Sequence, residues 1–257
     1  MPLVAVTDCD GVRTVTMSHP ERRNALREVL SAELVAAVMS ARCRVLILRA
    51  EPGVTTWSAG HDVDDLPGEG VDPITWISPV ERLVQAIVAA PFPVIAVVEG
   101  GAWGAACNLA LACDLLVATR TATFAITPAR LGVPYHPDGV VQILAAVPAN
   151  AAREMLFSAQ PLAADSPLLA GTVNRLAESS AELTAISEKL AQRIASLAPL
   201  SIRSMKAEIN ALLGAAESDP ETRLRLEELR RTAWESDDLR EGLTAFRERR
   251  APHFEGR

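Results

Sequence analysis

Two short unbroken apolar runs, Val45-Leu46-Ile47-Leu48 and Val94-Ile95-Ala96-Val97-Val98, interrupt an otherwise mixed pattern. Runs of this length without alternation predict strands buried on both faces. Ahead of them, residues 3–7 and 12–17 flank Asp10-Gly11 and predict a hairpin. Pro20-Glu21-Arg22-Arg23-Asn24 reads as a turn, with Asn24 the expected N-cap of an amphipathic helix ending near Ala41. A strand over 44–50, a glycine- and proline-rich loop over 66–73 and a helix over 79–90 follow. Pro91-Phe92-Pro93 stops that helix before the 94–98 strand. Next come an expected helix at 104–113, strands at 114–118 and 123–127, and a turn through 132–139. From Val140 onward the pattern predicts helix almost throughout, with breaks near Pro148, Pro161, residues 171–174, Pro199 and Asp219-Pro220. The last helices, near 222–236 and 238–249, carry Glu and Arg with apolar residues at helical spacing.

Alternating strands and helices up to about residue 127 predict an α/β core with a helical layer after it. The 257 residues suffice for a substantial core. Although 49% of residues are hydrophobic, no uninterrupted run approaches the roughly 18 residues of a membrane span. The first residues read as a strand and not as a signal peptide. Cys9, Cys43, Cys107 and Cys113 lack zinc-type spacing, so we expect reduced thiols, no metal and a cytoplasmic setting. A net charge of −7 argues against nucleic-acid binding and leaves an anionic ligand dependent on a local basic cluster. No phosphate loop of the P-loop or dinucleotide type is present.

Both apolar strands lead into small residues. Ser58-Ala59-Gly60-His61-Asp62 follows the first, and Glu99-Gly100-Gly101-Ala102-Trp103-Gly104-Ala105-Ala106 follows the second. Small residues let a substrate approach the backbone, and two convergent N–H groups can hold a carbonyl oxygen as it gains charge. His61 titrates near neutrality, but its position favours a backbone role, with the imidazole bounding the site.

The order of these motifs, with Pro91-Phe92-Pro93, Cys113-Asp114, Phe124, Leu131-Gly132 and the ending Phe246-Arg247-Glu248-Arg249-Arg250-Ala251-Pro252-His253-Phe254, resembles the crotonase (enoyl-CoA hydratase/isomerase) superfamily over essentially the whole chain. Within it, Asp72-Pro73, Val98-Glu99-Gly100 and Thr127-Pro128-Ala129-Arg130-Leu131-Gly132-Val133-Pro134-Tyr135 resemble the methylmalonyl-CoA decarboxylase branch. The resemblance implies an α/β fold, a crotonase-like ββα spiral core over 1–195, with a C-terminal α-helical trimerisation region over 196–257. It also implies an acyl-CoA substrate, no separate cofactor because coenzyme A belongs to the substrate, and a trimer or dimer of trimers.

The residue roles follow from the same resemblance. The amides of His61 and Ala105 would form the oxyanion hole. Ala105 replaces the usual glycine, which an amide donor in a first helical turn tolerates. The two acids that hold water in hydratases correspond to Asn108 and Pro128, neither of which exchanges a proton near neutral pH. Glu99 is near in sequence but off the motif position. Tyr135, the only tyrosine, would face a malonyl carboxylate, with Thr127 and Asn108 as further polar neighbours. Ala59, Gly60, Asp62, Val63 and Gly104 would line the acyl and thioester site. Arg22, Arg23, Ala25, Phe246 and Arg249 would contact coenzyme A, Arg249 at a position where relatives place a neighbouring subunit's lysine.

The expectation is therefore cofactor-free decarboxylation of methylmalonyl-CoA, or a related 2-substituted malonyl-CoA, through a thioester enolate. An isomerase or epimerase sharing the enolate, and a non-catalytic acyl-CoA-binding paralogue, remain alternatives.

Overall fold

The computed structural model describes residues 2–66, 76–214, 224, 231–232 and 234–253. Beyond Leu66, the loop expected over 66–73 lies outside the described residues, as does most of the helix expected over 222–236. The hairpin is present as β1 (Val4–Cys9) and β2 (Val12–Met17), antiparallel about Asp10 and Gly11. Both turn residues take positive φ, 48° and 79°, as a two-residue turn matched to strand twist requires. Helix α1 spans Glu28–Met39 with Arg27, not Asn24, at its N-cap. Asn24 instead sits at φ 50°, accepts the His19 N–H and donates to the Trp57 carbonyl. Its side chain ties the turn to a strand end, so it has nothing left with which to cap a helix.

Strands β3 (Val45–Ala50) and β4 (Thr56–Ser58) come next, then α2 (Pro79–Ala89), β5 (Val94–Val98), β6 (Gly101–Trp103) and α3 (Ala105–Leu111). Strands β7 (Leu115–Thr119) and β8 (Thr123–Ala125) follow. Successive strands go to different sheets. β3, β5 and β7 pair in parallel within a six-stranded sheet, while β4, β6 and β8 belong to a four-stranded one. Each turn of the chain adds one strand to each layer and, in the first two turns, a helix, which is the ββα spiral.

After β8 come α4 (Pro137–Ala146), α5 (Ala149–Ser158), β9 (Leu162–Ala163), β10 (Arg175–Ala177), α6 (Ser180–Ala195), α7 (Pro199–Gly214) and α8 (Asp237–Glu248). The expectation of near-continuous helix after Val140 is thus corrected by two strands. β9 closes onto β8, and β10 extends the large sheet beside β7. Two- and three-residue strands are too short to display a period of two.

Burial explains the apolar runs. Val45, Ile47, Ile95, Val97 and Val117 point to α6, where Leu183, Ala191 and Ala195 cover them. Leu46, Leu48, Val94, Ala96 and Val98 point the other way, into a core shared with Trp57, α1, α2 and α3. Alternate residues meet different layers, so every position is apolar.

The C-terminal region is anchored to this core. The Lys206 ammonium on α7 donates to the Ile87 and Phe92 carbonyls at 3.1 and 3.0 Å and to Asp114 at 2.8 Å. Asp114 also accepts the Val94 N–H at 2.7 Å, joining α7 to the start of β5. With its side chain 7% exposed, Lys206 depends on these acceptors. Removing Asp114 leaves a buried ammonium without its counter-charge, a loss on the order of 3 kcal/mol. Asp114→Ala is expected to lower the urea midpoint accordingly, without a change in the denaturant slope.

Candidate active site

The spiral brings the ends of β4 and β6 side by side, and the contact there is backbone to backbone. Gly60, at φ 83°, lies so close to the second loop that a Cβ would fall 2.2 Å from the Trp103 carbonyl oxygen and 3.2 Å from the Ala105 nitrogen. Only glycine fits, by space and by φ. Gly104 takes φ 55°, ψ −121°, and its N–H donates to the Ala125 carbonyl at 2.8 Å. That bond aims the following residue, Ala105, at the first position of α3, where an amide has no intrahelical partner. Neither the Ala105 nor the His61 N–H donates to a carbonyl of the described chain. Two unspent amides therefore flank the Gly60–Ala105 contact.

The first loop is held from behind. Ser58 Oγ donates to the Asn24 carbonyl at 2.7 Å and accepts the Gly60 N–H at 3.2 Å. The Ala59 N–H donates to the Arg23 carbonyl, and the Leu26 N–H to the Gly60 carbonyl.

A cavity of about 880 Å³ opens in front of these amides. Its wall includes Arg22, Arg23, Ala25, Ala59, His61, Asp62 and Val63 from the first half of the chain. From the second half come Gly104, Ala105, Asn108, Thr127, Tyr135 and Phe246. Gly60 stands behind the wall as a spacer. Arg249 is the exception: it ends α8 in the left-handed conformation, exposed, and is not brought to the cavity. Asp62 is committed locally, facing Arg27 at 3.4 Å and accepting the Asp64 N–H. Glu99 is also elsewhere, accepting from the Gly53 N–H and the Ser180 hydroxyl.

The strand expected to reach Thr127 stops at Ala125, because Pro128 starts a 3₁₀ turn, Pro128–Leu131. Thr127 Oγ1 lies beside the Gly104 loop, 3.0 Å from where a Cβ on Gly104 would be. The Tyr135 ring packs over Gly139, whose absent Cβ would meet it at 2.7 Å, and the Asn108 amide nitrogen borders the same space at 3.7 Å. Asn108 Nδ2 donates to Gln142 Oε1 at 2.9 Å, so an amide pair stands next to the phenol. Burial raises the Tyr135 phenol well above its ordinary pKa, with Cys107 and Glu81 adding to the effect. It stays a neutral donor, and its hydroxyl has no protein partner among the described residues.

Burial likewise lowers the His61 imidazole, against the pull of Asp65, Glu81 and Asp62. Its ring nitrogens lack hydrogen-bond partners, and the ring stacks on Trp76 at 5.7 Å and 16°. Trp76 in turn meets Trp234 at 6.2 Å. Trp76, Glu81, Gln142 and Trp234 were not anticipated. Only the Ser78–Glu81 capping box carried a readable signal, since tryptophans in loops and an amide on an amphipathic helix have no signature of their own. Among the described residues no cluster of three or more His, Cys, Asp or Glu side chains is arranged to hold a metal ion.

A ββα spiral presenting paired amides over a deep cavity is the architecture of the crotonases. The enoyl-CoA hydratase/isomerase family matches residues 7–257, and the chain belongs to that family. The methylmalonyl-CoA decarboxylase of Escherichia coli (strain K12) is 33% identical over 256 residues, covering 98% of each protein. A solved methylmalonyl-CoA decarboxylase in complex with 2-nitronate-propionyl-CoA superposes with a TM-score of 0.95 at 32% identity over 99% of both chains. A probable enoyl-CoA hydratase of Mycobacterium bovis is 31% identical, covering 99% of this chain and all of that protein.

Gly60→Ala tests the contact on which the site is built. The added methyl must displace the Trp103 carbonyl, so we expect a destabilised protein whose turnover falls far more than its folded fraction. Thermal melting and steady-state assay of the same preparation measure the two effects.

Proposed function

We propose that the protein decarboxylates methylmalonyl-CoA, or a closely related 2-substituted malonyl-CoA, to the saturated acyl-CoA and CO2. The observation that carries this reading is the Tyr135 hydroxyl, without a protein partner among the described residues, in the cavity lined by His61 and Ala105; by the resemblance, Asn108 and Pro128 stand where a hydratase would keep its acids. The likeness to methylmalonyl-CoA decarboxylases supports it.

Loss of CO2 requires the breaking C–C bond to stand perpendicular to the thioester plane, so that its electrons enter the carbonyl π system. The His61 and Ala105 amides would receive the thioester oxygen and stabilise it as the enolate forms. Tyr135, helped by Thr127, would turn the carboxylate out of that plane. A neutral donor suits this task, because a cation would stabilise the carboxylate most in the ground state, before its charge disperses. The thioester is itself the electron sink, so the step uses no separate cofactor. Arg22 and Arg23, both exposed at the cavity, are suited to coenzyme A phosphates, and Ala25, the backbone of residues 59–63 and Phe246 to the rest of the cofactor-like moiety.

The same reading includes a trimeric or hexameric assembly in the cytoplasm, with residues 196–257 contributing the contacts. The exposed apolar side chains Met205, Ile209 and Leu213, spaced along one face of α7, support that part. Isomerase chemistry is the second reading, favoured by the match to the enoyl-CoA hydratase/isomerase family. It predicts α-proton exchange without release of CO2.

Incubation with methylmalonyl-CoA should yield propionyl-CoA by mass spectrometry; a folded protein giving only background product defeats the proposal. Tyr135→Phe should reduce kcat about 100-fold while leaving the affinity for a non-reactive acyl-CoA within a few-fold. An unchanged kcat removes Tyr135 from the mechanism. Because burial pushes the phenol up, its proton remains bound as pH rises past the normal tyrosine pKa of about 10. The wild-type kcat should therefore show no decline attributable to Tyr135 between about pH 8 and about pH 10.

A further inference from the structure

An enolate released by loss of CO2 must gain a proton at its α-carbon, and neither Asn108 nor Pro128 can give one. Among the described residues, the carboxylates lining the cavity belong to Glu21, Asp62, Glu81 and Asp138. Asp62 is occupied by Arg27 and the Asp64 amide. Asp138 stands on the exposed first turn of α4 with His136 Nδ1 at 3.6 Å, and exposed Glu21 has His19 at 4.0 Å. Glu81 is placed differently. In the first turn of α2 its Oε2 accepts the Ser78 N–H at 2.7 Å, and its own N–H donates to Ser78 Oγ at 3.0 Å. This reciprocal box immobilises the side chain and leaves Oε1 without a partner among the described residues. Glu81 lines one cavity with His61 and Tyr135, and its charge acts on both the imidazole and the phenol. Those two residues bound the expected position of the α-carbon.

We propose that Glu81 is the acid that protonates the α-carbon of the enolate; its place in the turnover rests on the decarboxylase reading above. In this step the carboxylic O–H bond breaks and a C–H bond forms with the electron pair of the enolate double bond. The thioester carbonyl is restored at the two amides, and the Glu81 carboxylate then takes a proton from water.

Microscopic reversal supplies a test that does not require decarboxylation. Glu81 as carboxylate should remove an α-proton from a saturated acyl-CoA, so the protein in D2O should wash deuterium into the α-position of propionyl-CoA, followed by proton NMR. Glu81→Gln keeps the capping geometry, since glutamine also serves in the box, and should lower the exchange rate about 100-fold. Glu81→Ala should lose exchange similarly, and added formate should restore part of it. Exchange at the wild-type rate in either variant, or none in the wild-type protein, overturns the proposal. Glu81-dependent exchange with no CO2 released from methylmalonyl-CoA would instead overturn the decarboxylase reading and leave Glu81 in place as a proton-transfer residue.

Discussion

The close approach of Gly60 to the Trp103–Ala105 backbone is the constraint on which the rest of the structure depends. Two amides serve one oxygen only if two separate chain segments come within a few ångströms, and side chains ordinarily keep backbones farther apart. The spiral solves this by placing β4 and β6 as parallel neighbours, so their ends emerge together. Glycine supplies the missing volume at Gly60 and the unusual backbone turn at Gly104. The Ser58 and Asn24 side chains then hold the first segment from behind. Without the buried parallel strands β3 and β5 behind them, neither loop would have a fixed origin.

What could be read from the residues follows from how much signal each element carries. β3 and β5 were legible because both faces are buried, which forces an uninterrupted apolar run. The site motifs were legible because close backbone approach admits few residue types. β4, β6, β9 and β10 were not, since two or three residues cannot establish a period. Asn24 misled for a physical reason: the side chain that makes asparagine a good cap also makes it a good loop tie, and here the tie to Trp57 took precedence. Arg249 was assigned to a position where relatives place a neighbouring subunit's lysine, so its absence from the cavity of its own chain does not bear on that assignment. Trp76 and Trp234 meet through tertiary folding from segments far apart in the chain, and neither carries local information about the other.

Around His61 and Tyr135 the cavity wall is mostly neutral, with Glu81 the carboxylate whose charge acts on both. Burial keeps the His61 imidazole neutral and the Tyr135 phenol protonated. Asn108 is paired with Gln142, a neutral partner. Asp62 and Asp65 are drawn to Arg27, on the outer side. In such low-dielectric surroundings the oriented amide dipoles weigh more heavily than they would in water. The basic groups Arg22 and Arg23 are kept to exposed positions, suited to the anionic end of a ligand.

The same logic gives the C-terminal region a role within the site. Gly242 of α8 packs so closely on Leu131 that a Cβ would lie 2.2 Å from that residue's carbonyl oxygen, and Gly132 abuts Asp238 in the same way. α8 is therefore seated on the 3₁₀ turn that follows Thr127 and leads to Tyr135. Trp234 and Phe246 reach the cavity from either side of this contact, and Trp234 touches the Trp76 ring stacked on His61. An enolate is quenched by stray water and is stabilised by a dry, preorganised surround. Aromatic side chains from the end of the chain supply apolar wall to the cavity that Gly104 and Ala105 line. Trp234 and Phe246, from beyond residue 195, thus line the cavity of their own chain.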